Sequence, residues 1–435
     1  MIVEGNIVTS GDVYKGQLEF DPRYGLITRV GTDLGKADLL VEGFVFPGFI
    51  DRHVHAREYP APTLIGPKEQ LERDAQFTKE DFESVGRAAI NGGVTYIVEM
   101  PNNPYPPETK SAYYNKRRLT RKCGVPVLLF GLITDNNRPF GHFPYKMYLD
   151  YPGTRHNFAD DNEIDLALKR FRGTAVTFHC ENAAILEANA HRKGAAARPP
   201  EAEIRAIDQV LEWTGRYRLR THIAHLSTRR GHELIEAYNQ GKGENERVTC
   251  EVTPHHLAFS LDVAGIFEED VALRKFPLWR LLTMKPPLRG EEDRQYLLAR
   301  FKEGAIDCLA TDHAPHTLAD KKAGALGVPG LDSFGLFVNW LMTRHEVTPQ
   351  IIARTCAENP GRFVNEFIGH KRGRLEPGYT SSFTLLDPHG TGARRNFSKC
   401  SWTPYPNGIL PGAVVETIVD GALKRSALYS GAEPG

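Results

Sequence analysis

Two imidazoles stand two residues apart where an apolar run ends: Phe44, Val45 and Phe46, then Phe49 and Ile50, lead into Asp51, His53, His55 and Arg57. Alternate side chains of an extended strand share a face, so His53 and His55 point the same way, a geometry a metal ion can use. Taken alone, the pair fits exposed loop histidines equally well. The rest of the chain changes that balance. Other apolar, β-branched runs end in polar side chains too: EMPNN at Asn102, LITD, YKMYL at Lys146, TFHCE at His179, HIAHLS at His225, EVTPHH, and LATDHAPH at Asp312. His53, His55, His179, His225 and Asp312 offer the nitrogen and carboxylate donors that suit Zn²⁺. Two ions about 3.5–4 Å apart need a bridging ligand, and Lys146 is the candidate. Its run should be buried, where an unpaired ammonium is costly. Burial lowers a lysine's pKa, and the neutral amine can react with carbon dioxide to give an anionic carbamate. Strand alternation turns His225 toward the same side as positions 223 and 227, which leaves His222 facing away, packed against a helix. His255 and His256 read as helix-start or rim residues, and His316 could reach a substrate.

Those residues need a scaffold that brings distant runs together. Apolar runs at Phe44–His55, Thr95–Asn102, Pro126–Thr134, Lys146–Leu149, Ala175–Glu181, Thr221–Ser227, Val248–Pro254 and Ala305–Asp312 read as strands. Helix-like stretches separate most of them: Thr78–Asn91, opening on a Thr78 to Asp81 capping signature, Glu163–Arg172, Glu201–Thr214, Arg230–Asn239 and Glu292–Lys302. Eight strands with helices between them over roughly 320 residues predict an α/β fold, a (β/α)8 TIM barrel whose chemistry gathers at the C-terminal strand ends. A doubly wound sheet competes, but no G-x-G-x-x-G follows any strand. Both chain ends are short, Gly-punctuated and β-branched, and should pair into a small β-sandwich. The expected division is 1–48 plus 370–435 for the β domain and 49–369 for the barrel. The loops Tyr59–Pro67, Asn103–Thr109, Ala195–Pro200 and Ala323–Gly330 are long enough to act as lids.

Bulk properties exclude several classes. With 435 residues the chain exceeds what one core usually holds. Its 54 basic and 54 acidic residues cancel, leaving no basic stripe for nucleic acid. No stretch approaches the ~20 apolar residues of a membrane helix, and the N-terminus lacks the pattern of a signal peptide. The six cysteines lie far apart with no C-x-x-C pair, which suits buried free thiols in a reducing cytoplasm rather than metal ligands.

PGFIDRHVHAR, EMPNNP, FHCEN, HIAHLST, CEVTPHHL, PPLR and IDCLATDHAPHT resemble the dihydroorotases of the amidohydrolase superfamily, nearest their longer, type I-like form, over essentially the whole chain. D-x-H-x-H alone marks only the superfamily; Arg57, the MPN element and D-H-A-P-H narrow it. The resemblance implies two zinc ions per subunit. His53 and His55 would bind the more buried ion, His179 and His225 the second, with a carboxylated Lys146 and a hydroxide bridging them. Asp312 would touch the first ion and serve as catalytic acid/base, while Arg57, Asn102 and His316 would hold a substrate carboxylate. The implied reaction interconverts L-dihydroorotate and N-carbamoyl-L-aspartate in de novo pyrimidine (UMP) biosynthesis. A homodimer and aspartate transcarbamoylase are the partners it suggests. Two features depart from the family. Lys285 stands before PPLR where bacterial relatives commonly carry Asn, and could add to the carboxylate grip. Some relatives use an Asp in place of the bridging lysine, and Asp150, Asp160 and Asp161 are near. Hydantoinase, allantoinase, or a non-catalytic dihydroorotase-like scaffold holding aspartate transcarbamoylase are the competing readings. Arg57 and Asn102 argue against the first two, and the full set of histidines against the third.

Overall fold

The computed structural model describes residues 1–60, 74–150, 158, 160–262, 281–391, 395–405 and 409–430. Four short strands come first: β1 (Ile2–Val8), β2 (Val13–Asp21), β3 (Leu26–Gly31) and β4 (Leu39–Pro47). The apolar run that reads as one strand through His55 is in fact two. Gly48 lets the chain pass from one sheet to the other: a Cβ there would sit 2.3 Å from Thr95 Oγ1, and its N–H donates to Ser382 O at 2.7 Å. The second half becomes β5 (Phe49–Val54).

From β5 the chain builds the barrel. β6 (Val94–Glu99), β7 (Val127–Leu129), β8 (Gly131–Leu132), β9 (Tyr145–Tyr148), β10 (Ala175–His179), β11 (Arg220–Ile223), β12 (Thr249–Val252) and β13 (Cys308–Leu309) follow. Pairing is parallel, neighbour to neighbour in chain order. β7 and β8 act as one barrel strand interrupted at Phe130, whose N–H still donates to Glu99 O at 3.1 Å. The ring closes where Val54 bridges His313 in parallel and His55 N–H donates to His313 O at 2.9 Å. The fold is thus the expected (β/α)8 barrel. Its strands are buried along nearly their whole length, as a parallel sheet covered by helices must be.

Helices Phe82–Asn91, Lys110–Leu119, Asp161–Arg170, Pro200–Tyr217, Arg229–Asn239, Glu291–Lys302 and Phe334–His345 alternate with the strands. The segment 133–144 joins β8 to β9 with no helix among the described residues. One capping assignment needs correction. The helix expected to open at Thr78 opens at Phe82, because Asp81 accepts from Ser84 N–H at 2.8 Å and Ser84 Oγ lies 3.1 Å from Asp81 N, a reciprocal box. Thr78 donates instead to Ala75 O at 2.7 Å.

The chain ends with β14 (Phe383–Asp387), β15 (Ala413–Val419) and β16 (Ala422–Leu423). They join the first four strands in one seven-stranded sheet, order β16-β15-β14-β4-β1-β2-β3, so hydrogen bonding is unbroken between the two ends of the chain. This β-rich unit has its own core, including Val3, Ile7, Phe20, Val45, Phe383 and Ile418, with Phe20 and Phe383 meeting edge to face at 5.4 Å. β4 therefore ties both ends to the first barrel strand. Of the loops expected as lids, Tyr59–Pro67 falls outside the described residues from position 61 onward. Ala323–Gly330 is pinned by Gly327 N–H on Thr283 O (2.8 Å) and by Val328 O, which accepts from Ala314 N–H (3.0 Å).

Candidate active site

A cavity of about 440 Å³ opens at the C-terminal ends of the barrel strands. Each candidate side chain except Lys146 lines it, and nearly all stand at a strand end or just beyond it: His55 one residue past β5, Asn102 three past β6, His179 at the end of β10, His225 two past β11, Asp312 three past β13. Short strands followed by irregular turns release the side chains from strict alternation. Arg57, His225 and Asp312 hold left-handed φ values of 62°, 37° and 45°, conformations an L-residue adopts only where its surroundings impose them.

The donors form two neighbouring groups. His53 Nε2 and His55 Nε2 lie 3.2 and 3.0 Å from Asp312 Oδ1. Ligand atoms around a tetrahedral Zn²⁺ are roughly 3.3 Å apart, given bonds of about 2.0–2.1 Å. The opposite ring nitrogens are already held: His53 Nδ1 by Glu251 Oε1 at 2.5 Å and His55 Nδ1 by Asn102 Oδ1 at 2.8 Å. Each acceptor fixes an Nδ1–H tautomer and turns the Nε2 lone pair toward Asp312. In the second group His179 Nδ1 lies 2.9 Å from His225 Nε2. Burial, then the neighbouring His179, His53 and Lys146, hold His225 far below the ordinary imidazole pKa; burial takes His55 down to about 4. Both are thus neutral at physiological pH, the state a metal requires. Burial would push Asp312 up, yet His53 and His55 hold it below the usual carboxylate range, so it is ionised.

Lys146 lies beneath these groups on β9. It is fully buried, its Nζ has no hydrogen-bond partner among the described residues, and burial lowers its pKa to about 8. An orphaned amine of this kind fits the expectation of a modified lysine. The aspartates that could replace it are otherwise engaged. Asp160 caps the helix Asp161–Arg170, and Asp161 accepts from Gln209 at 2.6 Å. Asp150 is paired with Arg198 at 2.9 Å and Lys285 at 3.1 Å. Asp150, His179 and Glu181 also converge closely enough to suggest a cation site of their own. Arg198 already supplies that charge, forking onto Glu181 (2.5 Å) as well as Asp150. This cluster therefore anchors His179 through its Nε2, 2.9 Å from Glu181, and leaves Nδ1 for the His225 side.

The remaining wall is cationic. Arg57 is buried, with Nη2 3.3 Å from His316 Nε2. Asn102 is exposed, with its amide nitrogen available because Oδ1 is the atom on His55. Lys285, about two-fifths exposed, lines the same cavity.

One expectation fails. The His222 ring does not turn away from the candidate ligands: it is buried with Nε2 3.1 Å from Glu251 Oε2, the carboxylate that also holds His53, and Nδ1 2.8 Å from Thr249 Oγ1. Alternation breaks because β11 stops at Ile223 and His225 turns left-handed, which lets Glu251 reach both the His222 ring and the His225 backbone N–H (3.3 Å). Glu251 itself went unassigned. Its signal was present, a lone carboxylate in the apolar run VTCEVTP, because a buried charge must be paired. His255 and His256 are buried in the turn of helix Pro254–Ala258, where His256 bridges Thr253 and Pro286.

Residues 44–424 match the family model described as the amidohydrolase family. The chain belongs to the amidohydrolase family. Among curated members it is 32% identical to the dihydroorotase of Thermus aquaticus, over 91% of this chain and 92% of that one. It is 30% identical to the dihydroorotase of Thermococcus kodakarensis over 97% and 93%. Among solved amidohydrolase structures it is similar to the L-hydantoinase of Arthrobacter aurescens, at TM-score 0.82 and 22% identity, covering 97% and 95% of the two chains. The dihydropyrimidinase of Brevibacillus agri NCHU1002 follows at TM-score 0.79 and 19% identity over 97% and 94%. At those identities the structural likeness speaks for the fold. The candidate side chains of this amidohydrolase stand together on the rim where barrels of this kind hold their active sites.

Proposed function

We propose that the protein is a dihydroorotase, interconverting L-dihydroorotate plus water and N-carbamoyl-L-aspartate, and that it works toward ring closure in pyrimidine synthesis. The observation that carries this reading is Arg57, a buried guanidinium lining the same small cavity as the histidine–aspartate cluster. A fork of this kind binds a carboxylate through two parallel hydrogen bonds, and the α-carboxylate is what distinguishes dihydroorotate from the neutral rings of hydantoin and allantoin. The dihydroorotase relatives at about 30% identity support it.

His53, His55 and Asp312 would hold one zinc ion, and His179 through Nδ1 and His225 through Nε2 a second. Lys146, once its neutral amine has added carbon dioxide and released a proton, would supply the anionic bridge. Such ions, when bound, lower the pKa of a water from 15.7 to about 7 and polarise an amide carbonyl. Asp312, held ionised, accepts the proton of the attacking water and returns it to the departing ring nitrogen. Arg57 grips the carboxylate, the free Asn102 amide donates to it, and His316, kept neutral by burial, can donate a ring N–H to the same group. Lys285, on the same wall, adds positive charge. A homodimer and association with aspartate transcarbamoylase belong to the same reading.

The purified enzyme assayed against L-dihydroorotate, hydantoin and allantoin, alongside metal analysis, tests the proposal. Turnover of dihydroorotate with two zinc ions per chain is expected. Preference for hydantoin would make it a hydantoinase, and a zinc-free, inert protein would leave only the scaffold reading. Asp312→Ala should yield a folded protein with turnover reduced at least about 10³-fold; substantial residual activity would remove Asp312 from proton transfer.

A further inference from the structure

The opposite end of the barrel carries a second cavity, of about 740 Å³, lined by the first residues of the later strands, among them Ala175, Arg220, Thr249 and Cys308. It shares no lining residue with the cavity at the mouth. Its lining contains seven arginines and four carboxylates. Glu358 is taken by Arg374 (2.5 Å) and Arg362 (3.4 Å), Glu366 by Arg220, and Glu244 by Arg362. Arg372 pairs with Asp420 at 2.8 Å. The fourth carboxylate, Asp307, accepts from Cys250 N–H at 2.9 Å and feels the charges of Arg247 and Arg52. Among the described residues, Arg52, Arg247 and Arg354 line the cavity without a carboxylate within ion-pair distance, and Arg354 donates to Ser10 O at 3.3 Å.

Arg52 is the telling member. It stands between Asp51 and His53, one of the proposed metal ligands, yet its side chain serves the other end of the barrel. Its side chain is 3% exposed, its guanidinium lies 3.9 Å above the Phe363 ring, and Nη1 faces the weak acceptor Cys308 Sγ at 4.0 Å. Among the described residues, Nε and Nη2 have no hydrogen-bond partner. A buried cation with unused donors is costly unless something anionic meets it, and the planar guanidinium fork matches phosphate. Arg354, half-buried, and Arg247, exposed, continue the positive lining outward. The volume lies within the range of small-molecule sites.

We propose that this floor cavity binds a phosphate-bearing small molecule, with Arg52 at its inner end and Arg354 and Arg247 toward its entrance. Such a ligand would sit beside His222, which lines the cavity and reaches the metal-ligand set in two hydrogen bonds: Nε2 to Glu251 at 3.1 Å, and Glu251 to His53 Nδ1 at 2.5 Å.

The test titrates the intact metal-loaded protein with inorganic phosphate by calorimetry at constant ionic strength, and maps the site by hydrogen–deuterium exchange. One saturable site is expected, with slowed exchange over residues 244–249 and 354–365. The double variant Arg247→Gln/Arg354→Gln should weaken binding at least about tenfold, and Arg57→Met, which removes the buried guanidinium at the mouth, should leave it unchanged. Arg52→Met should abolish binding; should that variant not fold, the Arg247/Arg354 double variant decides. No saturable binding overturns the proposal. So does binding lost in Arg57→Met but kept in the double variant, which would put the phosphate at the mouth. Tighter binding of malonate than of phosphate would overturn the ligand class.

Discussion

Arg57, His225 and Asp312 spend backbone energy to be where they are. A left-handed non-glycine residue costs about 1–2 kcal/mol, and these three adopt that conformation at the ends of different strands while facing one cavity. Two residue-level expectations follow from the contacts they make. Arg57→Met removes the carboxylate fork but no metal donor, so KM for dihydroorotate should rise by about 10²-fold or more with zinc content unchanged. Loss of zinc in that variant would mean Arg57 serves the ligand set instead. Glu251→Gln keeps the shape and removes the charge that orients His53 and His222. Its zinc affinity, measured by chelator competition, should fall about 10–100-fold. A variant that holds zinc as tightly as the parent would reduce Glu251 to packing.

At the scale of elements, the turns decide more than the strands do. Helix Phe82–Asn91 begins where Asp81 and Ser84 satisfy each other's backbone N–H groups, and such a cap contributes ~1 kcal/mol. Asp81→Ala should therefore lower the unfolding free energy in urea by about that amount, while Thr78→Ala, whose hydroxyl donates outside the helix, should cost less. Equal losses would restore Thr78 as the cap. The two positions were not separable in the sequence, because T-x-x-D and D-x-x-S both spell a helix start. Only the backbone donor each side chain meets distinguishes them. Likewise the apolar run predicts a strand through Ser227, whereas the strand ends at Ile223, and the difference changes where His222 faces. Periodicity locates a strand but not the residue at which it stops.

Across the whole molecule, burying imidazoles ties stability to pH. Burial lowers His222 to about 3 and His256 to about 4, against about 6.5 in the unfolded chain. Their folded pKa values are depressed, so the unfolded chain binds more protons between pH 6.5 and 4. The contribution of these two rings is then complete above about pH 6.5 and is lost on acidification, by up to about 2.7 kcal/mol per pH unit for the two together. Asp51 and Glu99, raised by burial to about 6 and about 7, act in the opposite sense. Urea unfolding of the parent and of the double variant His222→Gln/His256→Gln at pH 7.5, 6.0 and 5.0 measures this; a double variant whose pH dependence equals the parent's would mean the two rings are not buried neutral. The mutual support of the parts is of the same global kind. One seven-stranded sheet holds both chain ends, and its fourth strand leads through Gly48 into the strand that carries His53.

The alternation of strand and helix, the barrel, and a set of candidate donors could be read from the sequence, because hydrophobic period and residue chemistry are local properties. His53, His55, His179, His225, Asp312 and Lys146 were legible as residue types ending or occupying apolar runs. What the tertiary structure decided is which atoms meet: that Asn102 accepts from His55, that Glu251 joins His222 to His53, and that Asp150 is spent on Arg198 and Lys285. Those pairings join positions tens to hundreds of residues apart. Their partners are set by barrel closure and by the turn each strand ends in, neither of which a local pattern encodes.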